Sequence, residues 1–407
     1  MVEPVDLDTA LTTLDPGDWD AARVFADTPG ARDQVFLDSA GSSLPPTPVL
    51  DTVVGHLRRE AEVGGYRAAA ERADDLAEGY AVFAELLGCA PDEIAFTDSA
   101  TRSWLAAVDA IPLAAGDRVL VTEAEYAGNA VPLLNLAAKA GATVEPVPSG
   151  PDGAVDLDAL TRLLDERVKL VSLVHVPTNG GLVNPVREVA DAAHAVGALV
   201  LLDACQSLGQ LPLDVGALGV DLLSGTGRKW LRGPRGTGVL VVPAHVRERL
   251  SPRLVDLHSG SWVAPGEIEL RRDARVFELW ECSIADRLGL IAAARYALDL
   301  GLDTVAAAVG ARAEHLRAGL SALPGVEVRD QGTRRCGIVT FTVEGVAAEA
   351  VRDALRGQGI TVTVSGRSST RLDMTRRGLE QVVRASPHYF VARSQLDTAV
   401  AAVRTIR

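Results

Sequence analysis

The chain is short of several things, and each shortage closes a route. Cysteine occurs four times, at Cys89, Cys205, Cys282 and Cys336, and no two form a C-x-x-C pair. That spacing argues against a zinc ribbon, a redox dithiol or a disulfide scaffold, and fits a reducing, cytoplasmic setting. No apolar run nears the ~20 residues of a membrane span; the stretch Val196 to Leu202 is halted by Asp203. Met1-Val2-Glu3-Pro4-Val5-Asp6 has no cationic segment leading into an apolar one, so no secretory signal is read there. Positive charge is also short: 40 Lys and Arg face 54 Asp and Glu, a net charge of −14. Without a basic block such a chain is a poor nucleic-acid binder. It has no H-E-x-x-H metal pair and no G-x-x-x-x-G-K-[ST], and Gly225-x-Gly227 lacks the third glycine of a dinucleotide loop.

Lysine is scarcer still than cysteine. Three of the 40 basic residues are lysine, Lys139, Lys169 and Lys229, which confines any search for a nucleophilic amine. What is present is ordinary for a folded protein: 407 residues, 47% hydrophobic and 23% charged, enough for two or three domains. Residues 1–34 are polar, with a short helix expected from Trp19 to Ala26. Val35-Phe36-Leu37 reads as a strand ending in Asp38-Ser39-Ala40-Gly41, and residues 47–62 and 66–87 read as helices. From residue 93, seven short apolar runs alternate with helical stretches: 94–96, 118–122, 144–147, 170–176, 198–203, 221–224 and 238–242. Several are nearly continuous in Val and Leu, the mark of strands buried on both faces. The spacing predicts an α/β fold, with a large domain over 35–285 built on a mostly parallel seven-stranded sheet between helices. After residue 285 the order changes to two long helices, then strands near 326–329, 337–343, 360–364 and 381–386. That predicts a smaller α+β C-terminal domain over 286–407, with segment 1–34 packed against it and the join inside a helix.

In open α/β sheets, ligands bind beyond the carboxyl ends of the strands. The polar residues that follow each run are therefore the candidates. Thr97-Asp98-Ser99-Ala100-Thr101 precedes a helix, so hydroxyls and free N–H groups there offer an anion site, although an ordinary N-cap reads the same way. Tyr126 follows the 118–122 run and could stack on a planar ligand. His175 and Thr178-Asn179-Gly180-Gly181 follow the next run, and Asp203 and Gln206 the one after. A carboxylate at the end of a strand buried on both faces needs a cationic partner, and a ligand's protonated ring nitrogen is one choice. Gly225-Thr226-Gly227-Arg228-Lys229 follows the 221–224 run, and Lys229 is the one lysine placed at a strand end. Held in such a pocket, an amine has a lowered pKa and can form a Schiff base with an aldehyde. Phosphate anchor, stacking ring, strand-end carboxylate and amine are together the four requirements of pyridoxal 5'-phosphate.

The constellation resembles the fold-type I pyridoxal phosphate enzymes of the class V aminotransferase, or cysteine desulfurase-like, branch. The resemblance runs from Phe36-Leu37-Asp38-Ser39-Ala40-Gly41 to Arg384-Ala385-Ser386 and is most specific at Asp203-x-x-Gln206 and Thr226-Gly-Arg228-Lys229, with 26 residues from Asp203 to Lys229. It implies that Asp203 holds the pyridine nitrogen, Gln206 lies near the ring oxygen, Lys229 carries the Schiff base and Thr226 and Arg228 hold phosphate. By the same resemblance Ala100 and Thr101 also bind phosphate, Tyr126 stacks on the ring, Thr178 joins the cofactor site, and Gly41, Asn179 and Arg384 bind substrate. Arg384 would clamp the α-carboxylate, a bidentate task suited to arginine. The family forms homodimers, and Cys282 or Ser283 of the second subunit would touch the phosphate.

The desulfurases of the branch accept sulfur on a mobile cysteine before the Arg384 strand. Here Val364-Ser365-Gly366-Arg367-Ser368-Ser369-Thr370-Arg371 holds none. Tyr126 and the stretch Glu60-Ala61-Glu62-Val63-Gly64-Gly65-Tyr66 look instead like the sulfoxide lyases of the ergothioneine pathway. The sequence is therefore read as a carbon–sulfur lyase acting on a cysteine-derived amino acid by α,β-elimination. Lys229 is the base at the α-carbon and Tyr126 the acid for the leaving sulfur. An aminotransferase or an isopenicillin N epimerase-like enzyme is the alternative, and persulfide-type desulfuration is disfavoured.

Overall fold

The computed structural model describes residues 21–406. The expected Trp19–Ala26 helix lies partly outside them; its described part is the helix Ala21–Ala26.

The centre of the molecule is a seven-stranded sheet. Its spatial order is Ile94–Thr97, Gly238–Val241, Leu222–Thr226, Leu199–Asp203, Val168–Val174, Arg118–Thr122, Thr143–Val147. Neighbouring strands pair in parallel except at Gly238–Val241, which runs antiparallel to both of its neighbours. Every residue of Arg118–Thr122, Leu199–Asp203, Leu222–Thr226 and Gly238–Val241 is buried. Helices on both faces demand this: with no solvent face, a strand gains from Val and Leu at every position. Because the central strands are parallel, Thr122, Val174, Asp203 and Thr226 end at one edge of the sheet. The polar residues that follow them are gathered there.

The C-terminal part has a four-stranded antiparallel sheet in the order Val326–Val328, Val339–Val343, Gln381–Ala385, Thr363–Gly366. The strand read at 360–364 is two strands. Ile360–Thr361 pairs in parallel with Val35–Phe36, and Thr363–Gly366 pairs with Gln381–Ala385. An isolated bridge between Asp38 and Ser386 continues the first pairing. Residues 35–40, grouped by sequence with the large domain, thus supply Val35, Leu37 and Ala40 to the core of the C-terminal part. The helix Ile284–Leu300 starts at the expected join. It gives Leu290, Ile291 and Ala294 to the core beside the large sheet, and Tyr296 and Leu300 to the other. One rigid helix therefore ties the two cores together. A hairpin that the sequence reading did not foresee, Gly260–Ala264 with Glu267–Leu270, projects from the large domain with mostly exposed residues.

Candidate active site

The strand ends open onto a cleft of about 740 Å³. Ala100, Thr101, Tyr126 and Thr178 line it, and so do Asp203, Gln206, Thr226, Arg228 and Lys229. Residues spread over 130 positions of sequence are brought together because each follows a neighbouring strand of one sheet.

The anion end is built by the helix Ala100–Ala110. Ser99 is its N-cap, and the Ser99 hydroxyl accepts the Arg102 N–H at 3.1 Å. The N–H groups of the first turn have no partner within the helix, so Ala100 and Thr101 present donors to the cleft at its positive end. The antiparallel strand presses against this turn at Gly238. A Cβ there would lie 2.4 Å from the Ser99 carbonyl carbon and 2.6 Å from the Ala100 nitrogen. Glycine is needed at Gly238 for close approach, not for an unusual φ. Ser224 completes the contact by donating its hydroxyl to the Ala100 carbonyl at 3.1 Å.

Asp203 stands at the end of its buried strand with a donor on each oxygen. Oδ1 accepts the Cys205 N–H at 2.9 Å, and Oδ2 accepts from Asn129 Nδ2 at 2.8 Å. Lys229 lies in the same cleft, and its pKa is lowered. Burial is the main cause, opposed by Cys205 and Asp203. A lowered pKa raises the share of neutral, nucleophilic amine. Tyr126, 45% exposed, precedes the helix Ala127–Ala140 at the mouth of the cleft.

The residues expected to bind substrate are more spread out. Arg384 is buried on its strand, with Nη1 donating to Thr178 Oγ1 at 2.5 Å and Nη2 reaching Asp38 Oδ1 at 3.3 Å. Its Nε has no partner among the described residues. Gly41 presents its carbonyl to Arg228, and a Cβ at Gly41 would lie 2.5 Å from Asp38 Oδ2. Asn179 does not line the cleft. Its amide nitrogen faces Ser369 Oγ and Thr370 Oγ1, both at 2.9 Å, while Oδ1 has no partner among the described residues. Gln206 lines the cleft but its amide is engaged, accepting from Trp230 Nε1 at 2.9 Å and donating to the Ala40 carbonyl at 3.1 Å. Cys282 lies apart, in a second cleft with Thr97, Asp98 and Arg102.

The sequence reading passed over Asp38, Glu125 and Asn129. Asp38 pairs with Arg384, and burial raises its pKa against the lowering pull of Arg384. Asn129 lines the cleft and joins Glu125 to Asp203. Sequence spacing did not show this, since Glu125 lies before the helix Ala127–Ala140 that carries Asn129.

These residues fit pyridoxal phosphate. A helix N-terminus would serve its phosphate, the doubly braced Asp203 its ring nitrogen and Lys229 its aldehyde. The orphaned Nε of buried Arg384 waits beside the cleft for an acceptor, as a carboxylate clamp requires.

Comparison with known proteins agrees. The class-V aminotransferase family model matches residues 35–398. A probable cysteine desulfurase 2 of Mycobacterium leprae is 33% identical over 394 residues, covering 92% of this chain and 92% of its own length. A cysteine desulfurase of Haloferax volcanii is 30% identical, over 93% of this chain and 92% of its own. A cysteine desulfurase of Synechococcus elongatus is 32% identical over 92% of this chain, which spans 61% of that longer protein. Among solved structures, the apo cysteine desulfurase of Thermococcus onnurineus superposes with a TM-score of 0.87 at 25% identity, over 94% of this chain and 96% of that one. The complex of a cystine C–S lyase with its product cysteine persulfide superposes at 0.85 and 25% identity, over 93% and 99%.

These relatives correct the functional expectation. The sequence reading disfavoured cysteine desulfuration and chose an α,β-eliminating lyase, with transamination or epimerisation as alternatives. The curated relatives named above are cysteine desulfurases. The error has a physical root. A cysteine missing from one segment says where an acceptor thiol is not; it does not alter the lysine, aspartate and arginine that activate the substrate. Fold, site and relatives agree that the chain belongs to the class-V aminotransferase family, as a pyridoxal phosphate-dependent enzyme of the α/β fold type I.

Proposed function

We propose that the enzyme removes sulfur from L-cysteine, as the names of its relatives state for them. The observation that carries this reading is the convergence of Lys229, Asp203 and the helix N-terminus in one cleft, with the Arg384 guanidinium beside it. Bound pyridoxal phosphate supplies an electron sink for a carbanion at the substrate's α-carbon. Arg384 binds the α-carboxylate and fixes which α-bond faces the cleft. Lys229 would link the cofactor's aldehyde and, with its amine free, would take the α-proton as base. Asp203 keeps the ring nitrogen protonated. Tyr126 would cover the ring, and Ala100, Thr101, Thr226 and Arg228 would hold the phosphate.

Sulfur leaves by attack of an acceptor thiolate on the substrate sulfur. The S–C bond breaks, its electron pair stays with carbon, and the carbon takes a proton. The products are alanine and a persulfide on the acceptor, with no net oxidant. Segment 363–371 has no cysteine, so we assign the acceptor role to another thiol.

We further propose a homodimer. Trp262 and Ile268 on the projecting hairpin are 79% and 63% exposed, Leu257 just before it is 69% exposed, and Tyr66 and Trp280, which line one groove with His258, are 85% and 51% exposed. Large apolar surface of this kind is uncommon on a monomer, and a second copy of the chain is its occupant. Cys282 or Ser283 would then face the partner's phosphate site. Four unpaired cysteines support a cytoplasmic location, and among the described residues no helix is long and apolar enough to cross a membrane.

The test supplies L-cysteine and dithiothreitol to the purified enzyme and measures alanine, persulfide-derived sulfide and pyruvate. Alanine and sulfide in equal amounts, abolished by Lys229→Ala, support the reading. Pyruvate with no alanine overturns it.

A further inference from the structure

Behind Asp203 lies a polar chain that the site as described so far does not use. Glu125 is 4% exposed. Its Oε1 accepts two N–H groups, the Tyr126 backbone at 2.8 Å and Asn129 Nδ2 at 3.0 Å. Its Oε2 meets the Ser172 hydroxyl at 2.8 Å. Asn129 Nδ2 also donates to Asp203 Oδ2 at 2.8 Å. One amide nitrogen, with two hydrogens, thus joins two carboxyl groups.

The two ends of Glu125 differ in what they tolerate. Both partners of Oε1 are N–H groups, which cannot accept a proton. The partner of Oε2 is a hydroxyl, which can. The Ser172 hydroxyl donates to Oε2, and a proton on Oε2 reverses that bond, since a hydroxyl can also accept. Asp203 is the charged group that faces Glu125. Burial first, and then Asp203, push the Glu125 carboxyl up to about 8. Two anions sharing one amide in a dry site would repel each other. A neutral Glu125 leaves Asp203 as the single negative charge at the base of the cleft.

We propose that Glu125 is a positioning residue, neutral in the working enzyme, which clamps Asn129 so that Asn129 holds Asp203 against the ring nitrogen of the cofactor. The proposal rests on the pyridoxal phosphate reading of the cleft and goes beyond it, to what sets the strength of the counter-ion.

The test titrates the apo form of the whole chain with pyridoxal phosphate. It reads the dissociation constant and the pH midpoint of the bound cofactor's absorbance, neither of which depends on substrate. Glu125→Leu and Asn129→Leu each weaken cofactor binding about ten-fold, the scale of one hydrogen bond to a charged group, and move the pH midpoint. Glu125→Gln restores both readings, since its amide oxygen accepts from Tyr126 and Asn129 and its NH₂ donates to Ser172. Unchanged binding and midpoint in Asn129→Leu overturn the proposal. So does a Glu125→Gln variant that behaves like Glu125→Leu, because then the carboxylate charge is what acts. If Glu125→Leu does not fold, Asn129→Leu against Glu125→Gln decides. A wild-type chain that binds no pyridoxal phosphate overturns the cofactor reading as well, which separates the two failures.

Discussion

Lys229 owes its chemistry to its surroundings. An exposed lysine is protonated near neutrality, and burial lowers the pKa of this one. Replacing it with alanine is expected to abolish alanine release from cysteine, by more than about 10³-fold. The cofactor's pH-dependent absorbance goes with it, because no amine remains to link it. For Arg384 the proposed task is separate. Arg384→Gln removes the charged clamp while leaving the ring and phosphate contacts, so KM for cysteine rises about ten-fold or more and the affinity for pyridoxal phosphate stays put. Equal losses in both measurements would place Arg384 in the cofactor site instead. Glu125 has a consequence for stability. Its carboxyl is raised from 4.5 to about 8 on folding. Across that window the folded chain holds a proton that the unfolded chain has released, so stability falls as pH rises from about 4.5 to about 8. Glu125→Gln has no such titration. Urea unfolding of the apo proteins at about pH 5 and about pH 8 should show wild type losing ~3 kcal/mol more than the variant.

At the scale of elements, the phosphate end depends on how closely a strand can approach a helix. Gly238 leaves room for the Ser99–Ala100 backbone, and both partners are main chain that cannot swing aside. Gly238→Ala is expected to cost about 1–3 kcal/mol by forcing the two apart, read as a lowered urea midpoint, and to weaken pyridoxal phosphate binding in the same variant. Full stability with weak binding, or the reverse, would show that the approach serves one purpose and not both. The C-terminal strands teach a second lesson. The apolar run at 360–364 is continuous in sequence, yet Ile360–Thr361 and Thr363–Gly366 pair with different partners. Propensity marks where a strand is favoured but says nothing of which edge it joins.

For the whole molecule, the exposed hairpin is the feature a single chain leaves unexplained. If Trp262 and Ile268 meet a second copy, the double variant Trp262→Glu, Ile268→Glu puts four charges into each dimer interface and shifts sedimentation from dimer to monomer. A wild type that sediments as a monomer removes the dimer proposal outright. The single helix Ile284–Leu300 gives residues to both cores and so joins the Arg384 sheet to the part of the molecule that holds the cleft.

Much of this was written in local pattern. Seven Val- and Leu-rich runs separated by helical stretches dictate a doubly covered parallel sheet, because burial on both faces leaves no other place for them. Three lysines, with one at a strand end, single out Lys229, and a carboxylate ending a buried strand singles out Asp203 by the cost of leaving it unpaired. What the sequence alone left hidden depends on contacts between distant segments. The pairing of Val35–Phe36 with Ile360–Thr361, the Asp38–Arg384 ion pair and the bridge from Glu125 through Asn129 to Asp203 join residues up to 346 positions apart. Periodicity records the environment of each residue, apolar or polar, inside or outside. It does not record the identity of the neighbour, which is set when the strands are ordered in the sheet.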